Sequence, residues 1–255
     1  MKPIANLDSE TARALRGLLF DLDDTLLDYT GGVSELWAAT CRDAAGPAGL
    51  DCEALVGAIR EARQWFWGDP VRHRTERVQM LAAWGKIARC ALDAIGCSDE
   101  ELATRIAADF HVRRAAGDRL FGDARPCLEA LRGRGYVLGL VTNGDRRMQR
   151  DKLARHRLAG YFDAVVIEGE VGVGKPEAAI FQRALDELGI APGDAVMIGD
   201  NLEWDVGGAE RVGIPGIWLD RGGGDAPPGR PVSQRRVVRS LDEVSALVAR
   251  LDGRV

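Results

Sequence analysis

Five short apolar runs with helical patterns between them limit most strongly how this chain can fold. GLLF (residues 17–20) ends at Asp21 and reads as a buried strand opening into a polar turn. YVLGLVTN (136–143), FDAVVI (162–167), AVMIGD (195–200) and GIPGIWL (213–219) have the same β-branched, apolar character. Between them lie patterns rich in Ala, Leu, Glu and Arg, such as ARPCLEALRGRG before the second run and PEAAIFQRALDELG before the fourth. Pro126 and Pro176 fall near helix starts, where a missing N–H costs least, and Gly133, Gly135 and Gly189 near the stops. Strand and helix alternating in this way predict an α/β fold, a doubly wound, mostly parallel Rossmann-like sheet covered on both faces.

Residues 28–121 break the alternation. They read as four or so helices without a convincing strand, and predict an all-helical domain inserted between core segments 1–27 and 122–255. Glycines at the joins (Gly31, Gly32, Gly117 and Gly122) suit hinges or plain turns. RGGGDAPPGRP (221–231) reads as a surface loop before a last strand and helix.

Composition excludes several classes. A net charge of −5 argues against non-specific nucleic-acid binding, which needs a basic surface. The local basic runs RHRTER (72–77), RRMQR (146–150) and RRVVR (235–239) read as solvated faces. The five cysteines are odd in number and form no C-x-x-C pair, so neither a disulfide framework nor a zinc site is expected. The first residues lack an apolar signal core, and no apolar run approaches the ~18 residues of a membrane span. A cytoplasmic protein without membrane partners is the expectation. Of 34 basic residues only four are lysine, namely Lys2, Lys86, Lys152 and Lys175, so lysine is not the default cation here.

In an open parallel sheet, ligands bind outside the carboxyl ends of the strands. The first strand delivers DLDDT there, with Asp21, Asp23 and Thr25. The second delivers Thr142 and Asn143, the stretch after the third Lys175, and the fourth GDNLEWD with Asp200 and Asp205. Four carboxylates in one crevice would raise one another's pKa values unless a cation sat among them. A divalent ion is therefore expected, and Mg²⁺, which takes one or two carboxylates and leaves room for phosphate oxygens, suits the set. Each piece alone has an ordinary alternative: D-x-D-D-T as a helix cap or calcium-like loop, GDN as a capped turn, the lysine as a solvated side chain.

EGEVGVGKPEAAIF (168–181) also fits the G-x-x-x-x-G-K spacing of a phosphate-binding loop through Gly169, Gly174 and Lys175. Pro176 stands where that loop needs Ser or Thr, and it offers neither a hydroxyl nor an N–H.

DLDDT, Thr142 in VTNG, Lys175 before Pro176, and GDNLEWD resemble, in order, the four motifs of the haloacid dehalogenase-like (HAD) hydrolase superfamily. The resemblance runs from Gly17 to about Leu219. It implies Asp21 as nucleophile, Asp23 as general acid/base and Lys175 as the third-motif lysine. Thr142 and Asn143, with Thr25, would contact substrate. Mg²⁺ would be bound by Asp21, the Asp23 carbonyl and Asp200, with Asp205 in support, and the helical insert would be the cap of the family's first subclass. The implied activity is Mg²⁺-dependent hydrolysis of a small phosphomonoester through an aspartyl-phosphate. Dehalogenases of the family lack the second Asp of the first motif, which Asp23 supplies here. Its phosphonate hydrolases need a cap lysine, for which Lys86 alone is available. A sugar-phosphate mutase or a non-catalytic phosphoryl-binding relative remain alternatives. For substrate choice the best candidate stretch is WFWGDPVRHR (65–74), with His73 and two arginines; a core aromatic pair beside a solvated turn is its plainer reading.

Overall fold

The structure, a computed structural model, describes residues 15–223 and 236–251. The expected 221–231 loop lies outside them from residue 224 onward. Along the chain, β1 (Gly17–Phe20) and β2 (Leu27–Asp28) precede five helices. These are α1 (Val33–Ala48), α2 (Cys52–Gly68), α3 (Pro70–Glu76), α4 (Met80–Ala94) and α5 (Glu100–Gly117). Then follow β3 (Arg119–Leu120), α6 (Ala124–Gly133), β4 (Val137–Thr142), α7 (Arg146–Arg155) and β5 (Ala164–Ile167). A single turn α8 (Glu168–Val171), α9 (Ala178–Leu188), β6 (Ala195–Gly199), β7 (Gly216–Leu219), β8 (Arg236–Val238) and α10 (Leu241–Leu251) complete it. The chain divides into two compact units, Met1–Tyr29 with Arg119–Val255, and Thr30–Asp118. No helix among the described residues is long and apolar enough to cross a membrane.

The first unit is built on a six-stranded sheet in the order β5-β4-β1-β6-β7-β8, every neighbouring pair parallel. Its strands are continuous apolar runs because both faces are covered. On β1, Leu18 and Phe20 enter one core cluster while Leu19 enters the other. β6 divides likewise, Val196 and Ile198 on one side, Ala195 and Met197 on the opposite one. Helix α6 packs Ala124, Cys127, Leu128 and Leu131 on the first face at i, i+3, i+4, i+7, and α9 packs Ile180, Phe181, Ala184 and Leu185 on the second. Each large side chain buried in this way contributes roughly 1.5–3 kcal/mol. After β1 the chain builds β4 and β5 on one side, then returns to place β6 and β7 on the other. The crevice at the carboxyl end of β1 is therefore the topological switch point where such sheets bind ligands.

The second unit is all-helical, and α2, α3 and α5 are each started by an aspartate. Asp51 accepts a hydrogen bond from Ala54 N (3.0 Å), Asp69 from Arg72 N (2.8 Å) and Asp99 from Leu102 N (2.8 Å). Trp37 stacks on Phe110 at 3.8 Å, and Trp84 meets the same ring edge-on at 5.0 Å. The unit runs two to three residues inside the anticipated insert. Asp28 and Arg119–Leu120, placed in the insert by sequence, belong to the first unit, where Leu27–Asp28 pairs with Arg119–Leu120 as an antiparallel ribbon.

Candidate active site

Asp21 follows β1 while still bonded to the sheet, its N–H donating to Ile198 O of β6 at 2.9 Å. The chain then folds into a tight turn. Leu26 N and Leu27 N both donate to Leu22 O (2.9 and 3.0 Å), and Asp24 N donates to Leu27 O (2.6 Å). Asp24 takes the left-handed conformation (φ 60°) that aspartate tolerates better than most residues, and its side chain accepts from Tyr29 N at 3.0 Å. Asp21 and Asp23 thus leave a locked turn at fixed angles.

Lys175 arrives from the segment after α8. Its ammonium is buried between Asp21 Oδ1 (2.5 Å) and Asp205 Oδ1 (2.6 Å). Asn143, just past β4, holds the lysine by its main chain, accepting from Lys175 N (2.7 Å) and donating to Lys175 O (2.9 Å). Sequence reasoning placed Asn143 on substrate; in the structure both polar atoms of its side chain are engaged by Lys175. The glycines that mimicked a phosphate-binding loop make room instead. A Cβ at Gly174 would overlap the buried Glu168 carboxylate and come within 2.8 Å of Asn143 Oδ1, and Glu168 in turn accepts from Gly144 N at 2.9 Å.

Asp200 directly follows β6, and Asp205 lies on the π-helical turn Leu202–Gly207 beyond it. Carboxylate oxygens of Asp21, Asp200 and Asp205 lie within 4.8 Å of one another. Burial raises Asp21 from the usual 3.8 to about 7; Lys175 opposes the rise and Asp205 adds to it. Burial likewise raises Asp200 to about 8, reinforced by Asp21 and Asp205. Burial alone would lower Lys175, but the two carboxylates outweigh it and hold the ammonium charged. An all-oxygen donor set crowded enough to keep protons it would otherwise lose fits a hard divalent cation. Asp21 and Asp200 are the carboxylates best placed to hold one. Asp205 has one oxygen on Lys175 and the other accepting from Asn201 N at 2.9 Å.

Asp23 faces a different cation. Lys152 donates to both of its oxygens (2.7 and 2.8 Å), and Gln149 donates to Oδ2 (3.0 Å). Both side chains come from α7, started by Asp145 capping Met148 N at 3.0 Å. They are buried together with Leu153, so the inward face of this helix is mostly polar. Sequence reasoning missed both, reading 146–150, with Gln149, as a solvated basic face and Lys152 only as one of four lysines. Two signals were present: the i, i+3, i+4 spacing of Gln149, Lys152 and Leu153, and the same scarcity of lysine that drew attention to Lys175.

Thr25 is fully buried, donating from Oγ1 toward Asp21 Oδ2 (3.2 Å) and accepting from Asp200 N (3.1 Å). It therefore ties the first and fourth strand ends together. Thr142 Oγ1 accepts from Gln149 Nε2 at 2.7 Å and donates to the Asn143 carbonyl at 3.3 Å, a long bond from a hydroxyl that can rotate to another acceptor. Trp218 Nε1 donates to the Asp200 carbonyl (2.7 Å), and Arg221, paired with Asp123 through two 2.9 Å hydrogen bonds, donates to the Thr25 carbonyl (3.0 Å).

In the helical unit, the 65–74 stretch separates into two parts. Phe66 is buried, whereas Trp65 is exposed beneath Arg72, whose guanidinium lies 3.8 Å from the ring centroid. Both line a cavity of about 420 Å³ with Phe66, Glu76, Lys86 and Arg89. Lys86 is engaged there by both oxygens of Glu76 at 2.6 Å.

A parallel sheet with its switch point at a cluster of aspartates and a buried lysine defines a hydrolase core of known type. The family model of the haloacid dehalogenase-like hydrolases matches residues 15–213, and the chain belongs to that family. It is 36% identical to a phosphoserine phosphatase of Thermus thermophilus over 226 residues, covering 80% of this chain and 88% of the relative. A glyceraldehyde 3-phosphate phosphatase of Methanopyrus kandleri is 32% identical over 213 residues, 82% and 85% of the two chains. Among solved structures, a HAD phosphatase from Thermococcus onnurineus superposes with a TM-score of 0.63 at 26% identity, covering 92% of this chain and 98% of that one.

Proposed function

We propose that the protein is a Mg²⁺-dependent phosphatase of small phosphomonoesters that works through a phosphate ester of Asp21. The observation that carries this reading is that two carboxylates two residues apart on one rigid turn have separate cationic partners, Asp21 with Lys175 and Asp23 with Lys152. Groups held in this way can act differently on one substrate.

Asp21 Oδ attacks phosphorus in line, and the electron pair of the breaking P–O bond goes to the departing oxygen. Asp23 gives that oxygen a proton, then takes one from the water that attacks the phosphorylated Asp21, and the second cleavage returns the carboxylate. Lys175 stabilises charge on the transferring phosphoryl oxygens, and the Thr142 hydroxyl donates to one of them. Asn143 fixes Lys175 for this task rather than binding phosphate with its side chain. A Mg²⁺ held by Asp21, Asp200 and the Asp23 carbonyl would supply electrostatic stabilisation of the same oxygens. The helical unit, acting as the cap, carries substrate selection.

The relatives, whose names specify phosphoserine and glyceraldehyde 3-phosphate, support a small phosphomonoester as substrate. The test is phosphate release across a panel headed by these two, with sugar phosphates, phosphoglycolate and nucleotides, with and without chelator. Release that needs Mg²⁺ and leaves a transient covalent phosphate on Asp21 is expected. No release from any member, or turnover indifferent to chelator, would overturn the reading.

A further inference from the structure

We propose that Lys152 and Gln149 form a two-point clamp that positions Asp23, and that the clamp leaves Oδ1 as the oxygen that carries the proton. The inference rests on the phosphatase reading above. Oδ2 accepts from both Lys152 (2.8 Å) and Gln149 (3.0 Å), whereas Oδ1, among the described residues, accepts from Lys152 alone (2.7 Å). A carboxylate offers about two lone-pair positions on each oxygen. Oδ2 is filled, and one position on Oδ1 is open.

The clamp is built to stay in place. Lys152 and Gln149 lie one helical turn apart on α7, and both are buried, at 6% and 2% exposure. Lys152 also lies over the Tyr29 ring, 3.6 Å from its centroid, a second contact that holds the ammonium. Gln149 Nε2 is shared among Asp23 Oδ2, Thr142 Oγ1 and the Asn143 carbonyl, so one amide registers Asp23 against the end of β4. Within the proposed reaction, the open Oδ1 position hands a proton to the leaving oxygen in the first step. In the second it receives one from water, as the water oxygen bonds to phosphorus and the P–O bond to Asp21 breaks. Transfer from an aryl phosphate, whose leaving group is a weak base, needs no proton from Asp23; hydrolysis of the phosphorylated Asp21 does. Loss of the clamp must therefore slow the second half of the cycle more than the first.

The experiment is rapid-mixing kinetics with p-nitrophenyl phosphate on Lys152→Met, Lys152→Arg, Asp23→Asn and the Asp23→Asn/Lys152→Met double variant. Lys152→Met should lower steady-state kcat roughly 10- to 100-fold, a part of what a general acid/base contributes. KM should fall with kcat, as trapping of the intermediate requires, and the nitrophenol burst rate should stay within about threefold of the parent. Lys152→Arg should recover much of the loss. In the Asp23→Asn background, Lys152→Met should cost no more than about a further threefold, because its target is gone. Losses that multiply across the two positions, or a Lys152→Met burst slowed as much as its steady state, would overturn the clamp. Lys152→Gln, which keeps a donor without charge, gives the same reading should the methionine variant fail to fold. If Asp23→Asn itself gave neither burst nor covalent adduct, the phosphatase mechanism would fall; a normal Asp23→Asn with multiplying losses removes only the clamp.

Discussion

Asn143 and Lys175 are joined by a pair of hydrogen bonds in which one side-chain amide closes on one residue's main chain, accepting at 2.7 Å and donating at 2.9 Å. The amide is the group that can do this; a carboxylate would set a charged oxygen against the Lys175 carbonyl. Asn143→Asp should therefore cut kcat by roughly tenfold or more, at least as much as Asn143→Ala, which leaves the main-chain groups to water. Steady-state kinetics on the two variants check the order.

Asp21→Asn should abolish turnover, a loss of about a thousandfold or more, because the amide lacks a nucleophilic oxygen. Its melting temperature should hold or rise by a few degrees. Burial disfavours the charged Asp21, and Lys175 keeps Asp205 at 2.6 Å. A melting scan beside a phosphate-release assay separates the two effects.

Stability without metal should fall as pH rises. Asp21 and Asp200 titrate at about 7 and about 8 in the fold but near 3.8 unfolded, so between those values the folded state holds more protons than the unfolded chain. Their carboxylates destabilise the metal-free protein increasingly from about pH 4 to pH 8. Mg²⁺ competes with these protons, and its stabilising effect should grow over the same window, reaching roughly 5 °C or more in excess metal. Thermal melts at stepped pH, with Mg²⁺ and with chelator, measure it; Asp21→Asn should flatten the metal-free slope.

Gly174→Ala should destabilise by roughly 1–3 kcal/mol, or about 3–10 °C in melting temperature, because the added methyl meets the Glu168 carboxylate and Asn143 Oδ1 in a space with no slack. Activity should fall with it, since Asn143 is the hold on Lys175. Alanine at Gly172, where a Cβ meets nothing within 4 Å, gives the contrast: its cost is that of a φ of 77° alone.

The core strands were readable because both faces of the sheet are buried, which turns each strand into a continuous apolar run with its functional residue at the end. Asp21, Lys175, Asp200 and Asp205 could be picked out by their order along such runs, and the structure brings them together. Gln149 and Lys152 escaped notice for the opposite reason. Their helix puts polar groups inward, so the contrast between faces that marks a core-facing helix is weak, and the neighbouring arginines pointed to solvent. The ribbon of Leu27–Asp28 with Arg119–Leu120 is too short for any period to register, and the residues it joins lie about ninety apart in sequence. The role of Asn143 depends on the Lys175 main chain, 32 residues away, and no local pattern encodes such a pairing.

The rarity of lysine gives the molecule a natural set of spectroscopic labels. Lys86 is half exposed on Glu76, while Lys152 and Lys175 are buried, one on each of the two aspartates of the turn. Carbon isotope placed only at the ε-methylene of lysine would yield at most four carbon resonances from 255 residues. The pair from Lys152 and Lys175 would be told apart without mutagenesis, because the Tyr29 ring, 3.6 Å from Lys152 Nζ, shifts the neighbouring methylene upfield. The two carboxylates could then be followed separately by magnetic resonance, each reported by the ammonium it touches.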